Sequence, residues 1–372
     1  MTKEELLQKI NVGLKNLLKD TDIFSEEIKV SHLKKIDKIF NKGLAYYLDP
    51  KNPIVSKEES IFFRKDDFNA KLNLGARLVV NKFEEDKISF STLAKLSDFK
   101  LQRKVEVYKI SDNPKIVATE IRKILYPEFA FDRKAFLTKL ITKLADYNII
   151  VFEFIERHNT KEKANINGFY LTPNVIVLKR NQKALKREIF TLAHELGHYL
   201  LNEEEIDENI NNEITHLNDL NKVEKWCNDF AYYFLIGSYN RDIEELDVAS
   251  PKNDYHIKTV ESISKQTNIS TIAIYTRLLL IKKISSISYQ RITESIYNSI
   301  KEWELKEKEK QEIAKQKALD EGRKIIIPAI RPIISPLYLK TLQSSLYNGL
   351  INEADFCKKL SIKPEKIEKY LI

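Results

Sequence analysis

Of 372 residues only two are cysteines, Cys227 and Cys357. That excludes a disulfide framework and a zinc site of the four-cysteine type. Glycine (8) and proline (10) are scarce too, which excludes collagen-like and Pro/Gly low-complexity chains. Long apolar runs are missing: the longest, residues 271–281, is interrupted by Arg277 and falls well short of the ~20 residues that span a bilayer. At the start, Met1-Thr2-Lys3-Glu4-Glu5 carries acids where a secretory signal needs basic residues and then an apolar stretch. These absences predict a protein of the reducing cytoplasm with no membrane partner. Histidine is also rare, at six residues, so two of them four positions apart stand out.

What remains is a globular composition, 43% hydrophobic and 31% charged. At about 150 residues per domain, the length predicts two or three domains. The net charge of +8 is uneven. Residues 1–130 carry +5, residues 131–256 carry −5 and residues 257–372 carry +8. A basic last third can attract nucleic acid or an acidic protein, or it can be the solvated surface of a lysine-rich chain.

Apolar spacing predicts helices over 3–18 (Leu6, Leu7, Ile10, Leu14, Leu17), over 31–48, over 68–130 (Leu72, Leu74, Leu78, Val79), and over 133–147. A β-branched and aromatic run, Ile149 to Phe154, then predicts a strand, with two more at Gly168-Phe169-Tyr170 and Val175-Ile176-Val177-Leu178. Residues 257–280 read as helix–turn–helix, with Asn268-Ile269-Ser270 as the turn and Ser270 as N-cap. That pair can contact DNA or pack on a core. Residues 299–321 read as a highly charged helix, and residues 337–372 as three short ones.

Residues 184–201 carry the chemistry. Leu185, Ile189, Leu192, Leu196 and Leu200 form a core stripe, and His194 and His198 lie on the other side. At i and i+4 two side chains sit one above the other and can share a metal ion. Glu195, about 100° around, is too far aside to be a ligand but is placed to reach the attacking water. This is the His-Glu-x-x-His pattern of zinc hydrolases. A catalytic zinc takes three protein ligands, and the third must come from elsewhere. In residues 223–236, Glu224, Asn228, Ala231 and Leu235 share one helical face. Small Ala231 permits close approach, Glu224 then points at the metal, and Asn228 stands behind it. His216, Cys227 and the acids of the loop between the helices, residues 202–220, are rivals for the third position. Arg187 lies two turns before His194 on the same side. A group to polarise the substrate carbonyl is also required; His216, Tyr232, Tyr233 and His256 are candidates.

Phe190-Thr-Leu-Ala-His-Glu-Leu-Gly-His198 followed by Glu224-x-x-Cys-Asn-x-Phe-Ala231 resembles the ImmA/IrrE-type metallopeptidases, with Cys227 where alanine is usual. The resemblance is specific for residues 130–240. It implies Zn2+ held by His194, His198 and Glu224, with Glu195 as the catalytic base. Residues 33–64, including Ile61-Phe62-Phe63-Arg64, resemble the tail of an Xre-type helix-turn-helix region.

The expected fold is α+β and mostly helical, with a zincin-like peptidase core and a small β-sheet between helical flanks. The expected divisions are 1–130, a helical, degenerate helix-turn-helix-like region; 131–256, the zinc peptidase core; 257–298, helices packed on it; and 299–372, a charged helix, linker and C-terminal module. The expected function is a zinc endopeptidase cleaving a dedicated protein, on the family resemblance an Xre-type repressor or antitoxin. The alternative is a DNA-binding regulator, or a toxin-like effector, acting by binding with a structural zinc. A substrate chain is expected to add to the sheet along residues 175–178.

Overall fold

The computed structural model describes residues 3–11, 17–25, 27–40, 44–48, 72–156, 162–180, 184–204, 222–321 and 330–371. It divides into two units, Met1–Asp66 and Asp67–Ile372. The Ile61–Arg64 motif and His216 lie outside the described residues.

In the first unit are α1 (Lys3–Asn11), α2 (Asp20–Ile23), α3 (Val30–Phe40) and α4 (Leu44–Leu48). Leu6 and Ile10 of α1 meet Ile23, Leu33 and Ile36 in a small apolar cluster, as their helical spacing requires. Asn11 clasps Leu18 through both its amide groups, donating to Leu18 O (2.9 Å) and accepting from Leu18 N (2.7 Å).

The second unit opens with α5 (Leu74–Leu96), whose Asn73 N-cap accepts from Ala76 N. Helix was expected throughout 68–130, but the chain leaves it at Ser97, runs non-helically to Asn113, and resumes in α6 (Pro114–Leu125). Pro114 at the first helical turn and Asn113 as cap explain the restart. Then come α7 (Arg133–Asp146), β1 (Ile150–Ile155), β2 (Gly168–Leu171), β3 (Val175–Arg180), α8 (Leu185–Leu201) and α9 (Lys222–Ile236). They are followed by α10 (Tyr239–Glu245), α11 (Ile257–Thr267), α12 (Thr271–Leu280), α13 (Ser286–Asp320), α14 (Pro336–Tyr347) and α15 (Glu353–Leu360).

The sheet order is β1-β3-β2, with β1 parallel and β2 antiparallel to β3. Strand β3, residues 175–178 included, is therefore paired on both sides and has no edge for a substrate chain. The edges are β1 and β2. Period-2 alternation divides the sheet residues between two layers. Phe152, Phe154 and Phe169 meet Phe83 of α5, with centroids 5.7, 6.2 and 6.5 Å away. Val151, Tyr170, Ile176 and Leu178 face the opposite way, into the core shared with α7, α8 and α9. That core also takes in Val105 and, from α6, Val117 and Ile121.

Helices α11 and α12 form the expected helix–turn–helix, with Asn268 left-handed and Ser270 capping α12. In α12 only Leu280 is exposed. Its Arg277 is committed to Asp229 and Tyr233 of α9. Its Ile274, Tyr275 and Leu278 are part of the main core, so the helix packs on it. The charged segment around 299–321 is the outer part of the long α13, and α14 and α15 pack on α5 through Leu342, Phe356 and Leu93.

A candidate metal centre between two buried helices

Helix α8 buries the expected stripe: Ile189, Leu192, Leu196 and Leu200 are inaccessible or nearly so. The histidine side is buried as well, with His194 4% and His198 2% exposed. A helix buried all round needs a second neighbour, and α9 supplies it. The contact is closest at Gly197. A Cβ there would lie 3.1 Å from the Cα, Cβ and Sγ of Cys227. Ala231 is also fully buried. So Cys227 is a packing residue opposite a glycine, and it is not among the three residues that could share an ion.

Those three are His194, His198 and Glu224, all buried. His194 Nε2 lies 3.1 Å from His198 Nε2 and 3.2 Å from Glu224 Oε2, and His198 Nε2 lies 3.1 Å from Glu224 Oε1. Tetrahedral coordination at ~2.05 Å places ligand atoms about 3.3 Å apart, so the spacing of the two Nε2 atoms, and of each to its nearer Glu224 oxygen, is of the size such a site needs. The donor chemistry fits too. His194 Nδ1 is 3.1 Å from Asn228 Oδ1. A carbonyl oxygen only accepts, so Nδ1 carries the proton and Nε2 turns its lone pair toward the triangle. Lone pairs and a carboxylate facing one another away from water call for a cation between them. The outer nitrogen of His198, Nδ1, is buried with no hydrogen-bond partner among the described residues.

Glu195 is 4% exposed and abuts strand β2. A Cβ on Gly168 would lie 3.0 Å from Glu195 Oε1 and 2.9 Å from Thr191 Cγ2. The strand can approach the motif helix only because this position has no side chain. The sequence pattern marks Gly168 as the start of a strand leading into the motif and Gly197 as part of the motif, and neither as a point of close approach. Their signal was the presence of glycine inside a strand and a helix in a chain that uses it so rarely.

Arg187, two turns before His194, is half-buried. The hydroxyl of Tyr233 accepts a hydrogen bond from the Arg277 guanidinium. Arg277 also lies over the rings of Tyr232 and Tyr233, at 5.2 and 4.8 Å. The hydroxyl of Tyr232 is buried without a hydrogen-bond partner among the described residues. Burial pushes both phenols above their ordinary range, against the lowering pull of Arg277. Burial likewise raises the Asp229 carboxyl, again opposed by Arg277. His256 is engaged elsewhere: its Nε2 is 3.0 Å from both Asp247 O and Asn253 Nδ2, in the turn before α11.

Among the described residues no helix is long and apolar enough to cross a membrane. No curated protein and no solved structure matches the chain. Residues 150–279 match the family model described as the IrrE N-terminal-like domain, of peptidase family M78. The matched stretch begins at β1 and ends within α12, so it encloses the sheet, the motif helix and the Glu224 helix. Over this stretch, 130 of the 372 residues, the chain is similar to the ImmA/IrrE-type metallopeptidases, as the two site helices already indicated.

Proposed function

We propose that the protein is a zinc-dependent endopeptidase in which His194, His198 and Glu224 hold the ion and Glu195 is the general base. The observation that carries this reading is the buried cluster in which the two histidine Nε2 atoms lie 3.1 Å apart and each lies 3.1–3.2 Å from one oxygen of the Glu224 carboxylate, beside the equally buried Glu195 on the histidine helix. Zinc, when bound, supplies Lewis acidity that polarises the scissile carbonyl and acidifies a water. Glu195 takes the proton of the attacking water and passes it to the leaving amine. Asn228 fixes the His194 tautomer, so that Nε2 is the ligating atom. Tyr232, with its uncommitted hydroxyl, is the best-supported donor to the developing oxyanion; Tyr233 is bound to Arg277 and His256 to its own turn.

The substrate is a polypeptide that pairs with the outer edge of β2, the strand in contact with Glu195. From the resemblance of the two site helices, the natural target is a dedicated protein, an Xre-type repressor or antitoxin, in the cytoplasm. Zinc analysis of the purified protein, then incubation with such a candidate using wild type and Glu195→Gln, tests this. Cleavage at a single site by wild type and none by Glu195→Gln supports the reading. Equal effects of the two proteins on the partner support a binding role with structural zinc instead.

A further inference from the structure

The two helices that present the ligands are joined in sequence through residues 205–221, but a different segment grips both at the ligand-bearing turns. Residues 100–112 start on the turn between α7 and β1, where Asn148 Nδ2 donates to Lys100 O (3.3 Å) and Gln102 O (2.8 Å) and Lys104 Nζ donates to Asp146 O (2.8 Å). The segment then crosses the last turn of α8. Arg103 donates through Nη2 to Tyr199 O and Leu200 O, stacks on the Tyr199 ring at 3.8 Å, and bonds Val105 O through Nε at 2.8 Å. Tyr108 N donates to Leu200 O at 2.9 Å. The segment ends at the first turn of α9, where Trp226 Nε1 donates to Asp112 O at 2.7 Å. His198 directly precedes Tyr199, and Glu224 lies two residues before Trp226. Residues 100–112 lie outside the matched stretch of the family model.

We propose that residues 100–112 are a strap that sets the distance between the His198 turn and the Glu224 turn, with Arg103 and Trp226 as positioning residues for the metal. The inference rests on the ligand assignment above. Three features support it. The guanidinium meets the carbonyl end of α8, where a cation is favoured and the last carbonyls lack helical partners. The His198 ring has no hydrogen bond on its outer nitrogen among the described residues, so packing of its own turn must orient it. The strap is itself anchored to the base of the sheet, so it holds both turns against a fixed point.

The test measures zinc affinity by chelator competition, and thermal unfolding and amide exchange of the zinc-free protein. Arg103→Met and Trp226→Phe each remove hydrogen bonds while keeping most of the volume. Each is expected to weaken zinc binding about tenfold, the lower end of what outer partners of metal ligands contribute. Arg103→Lys, which keeps the charge at the helix end, regains part of the loss. In zinc-free Arg103→Met, amides 199–203 exchange faster than in wild type. Leu342→Ala, in the apolar cluster of α14, lowers the unfolding temperature and leaves zinc affinity unchanged. Wild-type affinity in both Arg103→Met and Trp226→Phe overturns the strap, as does an equal loss in Leu342→Ala. A wild type that binds no zinc overturns the ligand assignment and this inference with it.

Discussion

Gly197→Ala offers the most direct test of how the ligand triangle is held. The added Cβ would lie 3.1 Å from three atoms of Cys227. Rotating the thiol relieves only the Sγ contact; the Cα and Cβ of Cys227 are fixed to α9. To reach ordinary carbon–carbon separations of about 3.5–4.0 Å, the helices must part by roughly 0.5 Å. His198 is the next residue on α8, and Glu224 is one turn before Cys227 on α9. The His198 Nε2 to Glu224 Oε1 edge, 3.1 Å now, widens with them. Overpacking of this kind costs about 1–3 kcal/mol. Re-aiming a ligand side chain off its rotamer costs about 0.5–1.5 kcal/mol more. Part of that total falls on metal binding, so zinc affinity should drop by one to two orders of magnitude, about 1.4–2.8 kcal/mol. Cys227→Ala in the same chain should rescue little, because it removes only the sulfur. Chelator competition and melting of the zinc-free and zinc-bound proteins read both quantities. A Gly197→Ala protein that binds zinc like wild type would refute the claim that this contact sets the ligand spacing.

Purified protein should carry about one zinc per chain; His194→Ala should abolish binding and Glu224→Ala should weaken it strongly, as metal analysis will record. Glu195→Gln should keep fold and zinc while eliminating cleavage, and Gly168→Ala, which crowds the same carboxylate, should lower kcat with zinc content unchanged. Asn228→Ala should weaken zinc binding about 10-fold, and Asn228→Asp, which keeps an acceptor for the His194 Nδ1 proton, should weaken it less. Burial pushes the Glu153 carboxyl from 4.5 up to about 7, opposed by the Ile333 N–H and by Arg180. The folded chain therefore holds an extra proton between these values, and stability falls as pH rises through that window. At about 1.4 kcal/mol per pH unit the loss is at most about 3.5 kcal/mol, and Glu153→Gln should flatten this slope in denaturant titrations at pH 5 and 8.

The candidate site was legible because the three residues that could share an ion come from two short segments with helical spacing. His194 and His198 are held together by one turn of one helix, and Glu224 shares a face with Asn228 and Ala231. The three strands were legible from their β-branched and aromatic runs. Their order was not: β3 sits between its neighbours because β1 pairs with it across the intervening β2, a long-range choice with no local signature. The apolar stripes that begin at Leu72 predict helix over 68–130, which wrongly includes 97–113, and nothing in one short segment announces that its backbone will serve the ends of two other helices. The value of an arginine there depends on carbonyls about a hundred positions away.

The same distinction applies to the helix–turn–helix of residues 257–280. Its local grammar is complete: a left-handed Asn268, a capping Ser270 and two amphipathic helices. A DNA-reading helix must leave one face in water, whereas Arg277 of α12 is drawn inward by Asp229 and Tyr233, and Lys186 at the start of α8 donates to Ser264 O and Ile269 O around the turn. These polar links bind the pair to the two helices that carry the ligands. These contacts, which tie the pair to the helices of the candidate metal centre, depend on its surroundings and have no signature in its own sequence.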